Sequence, residues 1–457
     1  MSWPGFLAAL LALPLLGAGA AFHPYVRSES VLARIAAALA LGAVTLTLTG
    51  LLLTFASIPW SIPAMAALPL CASLALGLSW SRRPAPTRRP YRPSRGVAFS
   101  ATTVTAVSLL CLFWTLATAG ATSVDYLYFW GAKAARFASV RGIDTTLLRW
   151  KYFGHGVPDY PPSVPILQAW GALAAGKLPW RFVPVCSLLW VAAAAPLALA
   201  LLRRRLSDDA ATAVASFWIA ATSITIAQSY SGGNAEAQLL FFETLAVAAL
   251  LVEDEDAGAD ASRFFPALML AGAVLTKVEG SVAALAIAGG AALRDALERR
   301  GAVLRRTLPL VLAPAACILT WFAFQRFFGL TVGYRSHGPL LLLRAEFLPT
   351  ILREELRNLD AGTFGLAWAI PIAFLLAARP DSRRLLPALA LIAALFGFLT
   401  FDYMHDQRDP SERIGWTTPR VSQSALSACI LAAGLAWFGP ARRRGEIIAA
   451  EASPQPR

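Results

Sequence analysis

Asp125 stands just beyond a long apolar run that ends near Gly120, and it opens a stretch reading DYLYFWGAKAARFASVRGIDTTLLRWKYFGHGVPDYPPSVP over residues 125–165. That stretch holds three carboxylates (Asp125, Asp144, Asp159), one histidine (His155), several cations and a dense set of aromatics. A carboxylate at the edge of an apolar run meets both water and lipid headgroups, and it is fit to take a proton from a hydroxyl nucleophile. Further polar groups follow at later breaks between apolar runs. They are Asn234 and Glu236 in SGGNAE, Lys277 and Glu279 in TKVEG, Arg335 and His337 in YRSHG, and the segment from Asp402 to Arg420. Fixed cations at headgroup level would stabilise a departing lipid phosphate, and Lys277 and Arg413 are the candidates.

Each of these residues has a plainer explanation beside it. Asp125 could cap the helix that Tyr126 to Phe137 should form, since Asp is a favoured N-cap. Asp159 precedes a tight turn in PDYPP and suits turn formation, with Tyr160 and His155 shaping the same loop. Tyr128 and Trp130 fit either an interfacial aromatic belt or a sugar-stacking surface. Glu236 starts a helix, where an acid is favoured anyway. Lys277 and Glu279 could be a simple surface ion pair, and Arg413 and Arg420 a solvated face. His155, His337 and His405 lie in polar segments, but a metal site needs several converging ligands, and spacing such as DYMHDQRD specifies none. The expectation is no metal and no other cofactor.

The elements that must hold these residues are apolar. Of 457 residues, 57% are hydrophobic and 15% charged, against about 25% charged in a soluble domain. Mean hydropathy is +0.57. The net charge of +13 would suggest a nucleic-acid partner in a soluble protein. Here much of the Arg sits in short segments between apolar runs, which is a topology signal, and no nucleic acid is expected. The five cysteines lie in or beside apolar runs without a CxxC, so neither a disulfide framework nor a zinc site is expected.

The chain is therefore expected to be an all-α polytopic membrane protein with about thirteen transmembrane helices, each near the ~20 residues a crossing needs. Residues 3–22 are apolar with no basic start, so they read as a retained helix rather than a signal peptide. The segment SRRPAPTRRPYRPSR at 81–95 and the Arg-rich ends at 203–205, 294–306 and 442–444 read as cytoplasmic. That choice puts the N-terminus and the polar segments named above outside. The expected division is residues 1–96 as N-terminal helices with an Arg-rich loop, 97–440 as the main transmembrane unit with an outer loop at 120–181, and 441–457 as a cytoplasmic tail. Lys277 and Glu279 should mark the tip of a tight hairpin, with one long buried helix as the rival. The segment EFLPTILREELRNL reads as an amphipathic helix lying on the membrane surface.

Asp125, then FWGAKA, DYPPSVPIL, GGNAE and LTKVEG, together resemble the GT-C class of membrane glycosyltransferases over roughly residues 97–440. The resemblance implies transfer of a sugar from a polyprenyl-phosphate donor to a glycan, lipid or protein acceptor outside the cytoplasm. It implies an inverting reaction with the outer-loop Asp125 as general base and a second carboxylate at Glu236. It also implies an inner-membrane location, contact with membrane lipid, and an active site on the outer, periplasmic face. Two other classes stay open. A lipid-linked oligosaccharide ligase or polymerase would use outer Arg and His without an essential Asp125. A flippase or transporter would carry buried charge in a cavity across the midplane.

Overall fold

The computed structural model describes the chain except residues 1–2, 25, 84–89, 120–122, 150–159, 230–231, 254–258, 299–302, 331–343, 361–362, 379–381, 406–409 and 440–457. The described residues form helices and no strand. The first half contains α1 (Trp3–Leu11), α2 (Leu13–Leu16), α3 (Val31–Phe55), α4 (Ile62–Ser81), α5 (Arg95–Ala119), α6 (Gly131–Val140), α7 (Thr145–Arg149), α8 (Ser163–Ala175) and α9 (Ser187–Leu202). The second half contains α10 (Asp208–Gln228), α11 (Glu236–Leu251), α12 (Ala259–Thr276), α13 (Val278–Leu297), α14 (Val303–Phe327), α15 (Leu348–Asp360), α16 (Thr363–Ala378), α17 (Ser382–His405) and α18 (Pro410–Phe438). Among the described residues, nine helical segments are long and apolar enough to cross a membrane, which marks an integral membrane protein. Four apolar helices are shorter: Trp3–Leu16, Ser163–Ala175, Arg263–Thr276 and Gly365–Ala378.

Local sequence accounts for where several helices begin. Ser30, Ser61 and Ser207 each accept a hydrogen bond from the backbone N–H three residues on, which satisfies one of the donors a helix start leaves unpaired. Burial then sorts the apolar helices. Every residue of α11 is buried, as expected of a helix apolar all round, and it packs against α9, α12, α13, α17 and α18. By contrast α5 buries only Ala101, Leu112 and Leu116 and turns Val107, Leu110 and Trp114 outward, as a lipid-facing helix would.

Polar segments gather at the two ends of this bundle. At one end Arg92 and Ser94 donate backbone N–H groups to Asp208 and Asp209, each at 2.6 Å. Arg203 pairs with Asp208 at 2.9 Å and Glu29 at 3.7 Å, and Arg205 donates to the Glu253 carbonyl at 2.7 Å. Arg294 and Arg306 join Glu253 there. The opposite end carries Asp125, Glu236, Lys277 and Arg420. Sixteen residues of α11 separate the ends, about 24 Å at 1.5 Å per residue.

The helices of residues 1–96 pack into the bundle, α1 along α8 and α3 along α9, α12 and α8. Two expectations change. Residues 3–22 form α1, α2 and a 3-10 turn at Ala18–Phe22, with a proline opening α2 and Gly17 ending it. Residues 163–175, expected inside an outer loop, form the buried helix α8, whose thirteen residues reach only about 20 Å. The amphipathic segment forms α15, in which Ile351 packs with Leu399, Tyr403 and Ile414 and Glu355 is buried, while Leu348, Leu352, Leu356, Arg353 and Arg357 are exposed.

Candidate functional site

Asp125 leads into one π-helical turn, Tyr126–Trp130. Its side chain makes no capping hydrogen bond. Ser123 takes that part instead, accepting from the Tyr126 N–H at 3.3 Å. The capping explanation of Asp125 therefore fails, and its half-exposed carboxylate reaches across to Arg420 at 2.5 Å.

Glu236 is aimed by the turn before it. Gly233 has φ of +81°, a left-handed conformation that favours glycine, and a Cβ there would run into the Tyr126 ring. Its N–H donates to Ser187 at 3.0 Å and its carbonyl accepts from Gln168 at 2.8 Å. Asn234 donates to Ser123 at 3.0 Å, tying the turn to the Asp125 segment. Glu236 then projects from the first residue of α11. Its Oε1 accepts from Arg420 Nη2 at 2.5 Å and Nε at 3.0 Å, and from Lys277 at 3.4 Å.

Lys277 is the single extended residue between α12 and α13, with φ −157° and ψ 159°. The hairpin expected at TKVEG is therefore present, and the rival long helix is excluded. The return is tight because position 280 is glycine: a Cβ there would overlap the Ala273 carbonyl. The Lys277 ammonium meets Glu279 at 2.8 Å as well as Glu236, and it lies 5.9 Å from the Tyr160 ring centre. Beneath it Gln238 donates to Ser163 at 2.7 Å and Thr276 at 3.0 Å, and Ser163 meets Thr47 at 3.0 Å. These bonds pin α3, α8, α11 and α12 together below the charged groups.

Asp125, Glu236, Lys277 and Glu279 thus come together from segments far apart in the chain, joined by Arg420. The cluster is not a surface ion pair, since Glu236, Lys277 and Glu279 are all buried. Buried ions stay only where partners compensate their lost hydration. Arg420 does so for two carboxylates at once. It follows Pro419 in α18, a residue with no N–H to donate to the preceding turn.

Arg413 is not brought to this cluster. It pairs with Asp402 at 2.5 Å and lies seven residues before Arg420, about 10 Å along the helix. Tyr160 packs against Phe129 and Trp130. Trp130 is buried, which removes it from both the belt and the stacking surface, while Tyr128 is exposed. Asp144 pairs with Arg136 at 2.7 Å and caps α7 through the Leu147 N–H. His155, Asp159, Arg335 and His337 lie outside the described residues. Among the described residues no three His, Cys, Asp or Glu side chains are placed to share a metal ion.

Two cavities lie at this end of the bundle, the smaller of them within the cluster. One, of about 50 Å³, is walled mainly by apolar side chains of α1, α2, α3, α8 and α9 and reaches Gly233, Asn234 and Gln238. The other, of about 10 Å³, lies among Glu236, Glu243, Lys277, Glu279 and Arg420. Glu243 was passed over in the sequence because it sits inside an apolar helix with no motif around it. Arg420 was weighed there, but nothing in the sequence ranks it above Arg413. No family model, no curated protein and no solved structure matches this chain.

Proposed function

We propose that this protein transfers a sugar from a polyprenyl-phosphate donor to an acceptor at the Asp125 end of the helix bundle, with inversion at the sugar carbon. The observation that carries the reading is the convergence of Asp125, Glu236, Lys277, Glu279 and Arg420, with a largely apolar cavity at the same end of the bundle. A lipid phosphate needs cations and an apolar groove side by side, and an acceptor hydroxyl needs a carboxylate facing water. Under this reading the chain crosses the inner membrane about thirteen times, with its N-terminus and the cluster outside.

Asp125, half-exposed, takes the proton of the attacking hydroxyl. Arg420 first has to release it. The incoming phosphate supplies the reason, because a guanidinium binds phosphate through two parallel hydrogen bonds as readily as carboxylate. Arg420 would then hold the phosphate while Glu236 keeps its orientation. Lys277, already balanced by two carboxylates, adds its charge as the phosphate gains negative charge on leaving. Arg420 therefore takes the part expected of Arg413. No cofactor enters this scheme.

A transporter reading has one observation in its favour, the buried Glu243 well inside α11. Against a through-path stands the buried ion cluster that closes the other end of the same helix.

The test is a panel of synthetic polyprenyl-phosphate sugars offered to the purified protein in lipid nanodiscs, with free polyprenyl phosphate as the readout. At least one donor should release polyprenyl phosphate in an acceptor-dependent way. No turnover with any donor, with proton- or lipid-coupled transport detected in liposomes instead, would move the assignment to a transporter.

A further inference from the structure

Glu243 follows Glu236 by seven residues, so it lies about 10 Å further along α11 on nearly the same face. It is fully buried, and its carboxyl meets no cation; its hydrogen-bonding neighbour is the Ser424 hydroxyl. It lines the smaller cavity, whose volume of about 10 Å³ is room for about one water molecule. Three acceptor atoms there lack partners: Glu236 Oε2, Glu279 Oε2 and Gln423 Oε1.

The charged groups facing Glu243 come from several elements. Glu236 is on α11 itself, Lys277 is at the α12–α13 corner, Glu279 is on α13, and Arg420 is on α18 beside the neutral Gln423 and Ser424. From α17 the wall is Leu395, and α9 and α12 put no titratable group into it. With Asp125, four carboxyl groups share two cations. Both cations are already engaged with other carboxylates. An ionised Glu243 would be an uncompensated buried charge, which proteins avoid. A neutral carboxylic acid is both uncharged and a hydrogen-bond donor, which is what a cavity lined by lone acceptors lacks.

We propose that this cavity is a proton-binding site, in which Glu243 holds the proton and directs its O–H toward the lone Glu279 Oε2 across the space of one water. The proton site stands without the glycosyl-transfer reading.

The experiment is isotope-edited infrared spectroscopy of the full chain in nanodiscs at pH about 7, far above the ~4.3 of an ordinary glutamate. Glu355 is a further buried carboxyl, one whose hydrogen-bonding neighbour is the Thr400 hydroxyl, so the work is done in a Glu355→Gln background. A protonated-carboxyl band that shifts with carbon-13 glutamate is expected, and Glu243→Gln should abolish it. Glu279→Gln should leave the band present but displaced, because the partner across the cavity has changed. The band should be the same in sodium chloride and choline chloride. If no glutamate band exists at that pH, the proposal is overturned, and this decides the matter even if Glu243→Gln does not fold. A band that survives Glu243→Gln, or one that sodium removes, overturns it equally. None of these readouts depends on sugar transfer.

Discussion

Helices α11 and α13 carry a buried ion cluster at each end, and the two clusters are built differently. At the Arg-rich end Glu253 and Asp295 meet Arg263, Arg294 and Arg306. Glu253 Oε1 takes Arg263 at 2.6 Å and Arg306 at 3.0 Å, and its Oε2 takes Arg294 at 2.6 Å. Asp295 Oδ2 takes Arg263 at 2.7 Å and Arg306 at 3.1 Å, and its Oδ1 takes Arg294 at 3.2 Å. All four carboxylate oxygens are satisfied. Arg294 also donates to the Leu250 carbonyl at 2.6 Å, where a cation suits the end of a helix. At the Asp125 end the balance reverses, with more carboxyl groups than cations, with Glu236 Oε2 and Glu279 Oε2 left without partners, and with Glu243 meeting the Ser424 hydroxyl rather than a cation. A cluster whose carboxylate oxygens are all paired, with the Arg263 Nη1 and Arg306 Nη2 donors making no hydrogen bond, fastens helices. An unsaturated one, buried at comparable depth, leaves acceptors for something else to fill.

The same chemical change should therefore act in opposite ways at the two ends. Asp295→Asn puts an amide donor against arginine donors and leaves buried charge unbalanced. The expected loss of unfolding free energy is about 3–5 kcal/mol. Glu279→Gln keeps an acceptor oxygen for Lys277 and turns an amide donor toward the lone acceptors, so its cost should stay within about 1 kcal/mol. Thermal unfolding of both variants in one detergent decides this. Equal losses would mean that the Asp125 end is a structural clamp like the other.

The two arginines of α18 sharpen the contrast within one helix. Arg420→Lys keeps the charge but cannot bridge Asp125 and Glu236 with one planar group. It should lower kcat/KM by about 10²-fold. Arg413→Lys, which alters the pair with Asp402, should cost less than about tenfold. A larger effect at Arg413 would return the phosphate role to the residue first expected to hold it.

Much of this arrangement was legible in the sequence, and the remainder had physical reasons to be hidden. Apolar runs of about twenty residues located the long helices. The breaks at SGGNAE and TKVEG located Glu236 and Lys277, since a polar group between two such runs has to lie at an end. Sequence could not choose between Arg413 and Arg420, because seven residues is two helical turns and both face one way. It could not bury α8, whose length falls short of a crossing. Glu253 and Asp295 read only as acids that contribute little to orientation, because their worth depends on which helices meet. Asp125 looked equally like a cap until Ser123 was seen to occupy that position.

Glu355 gives a smaller test, as a buried carboxyl outside both clusters. Its neighbour is the Thr400 hydroxyl, at 3.3 Å from each oxygen, and burial pushes it up from 4.5 to about 7. The folded form then binds more protons than the unfolded chain between those values. Stability should fall as pH rises from about 4.5 through about 7, by at most about 3.5 kcal/mol at about 1.4 kcal/mol per unit. Glu355→Gln should flatten that slope in melts recorded across the range. An unchanged slope would place the proton uptake elsewhere.

The most direct measurement is sugar transfer by Asp125→Asn with a polyprenyl-phosphate donor that the native protein uses. Asp125 is half-exposed and caps nothing, so the variant should fold and melt within about 1 kcal/mol of the native protein. An amide cannot take the acceptor's proton, so the rate should fall by about 10²–10⁴-fold. A folded variant that keeps more than about a tenth of the native rate, for a base expected to contribute at least that range, would contradict the assignment of Asp125 as the base.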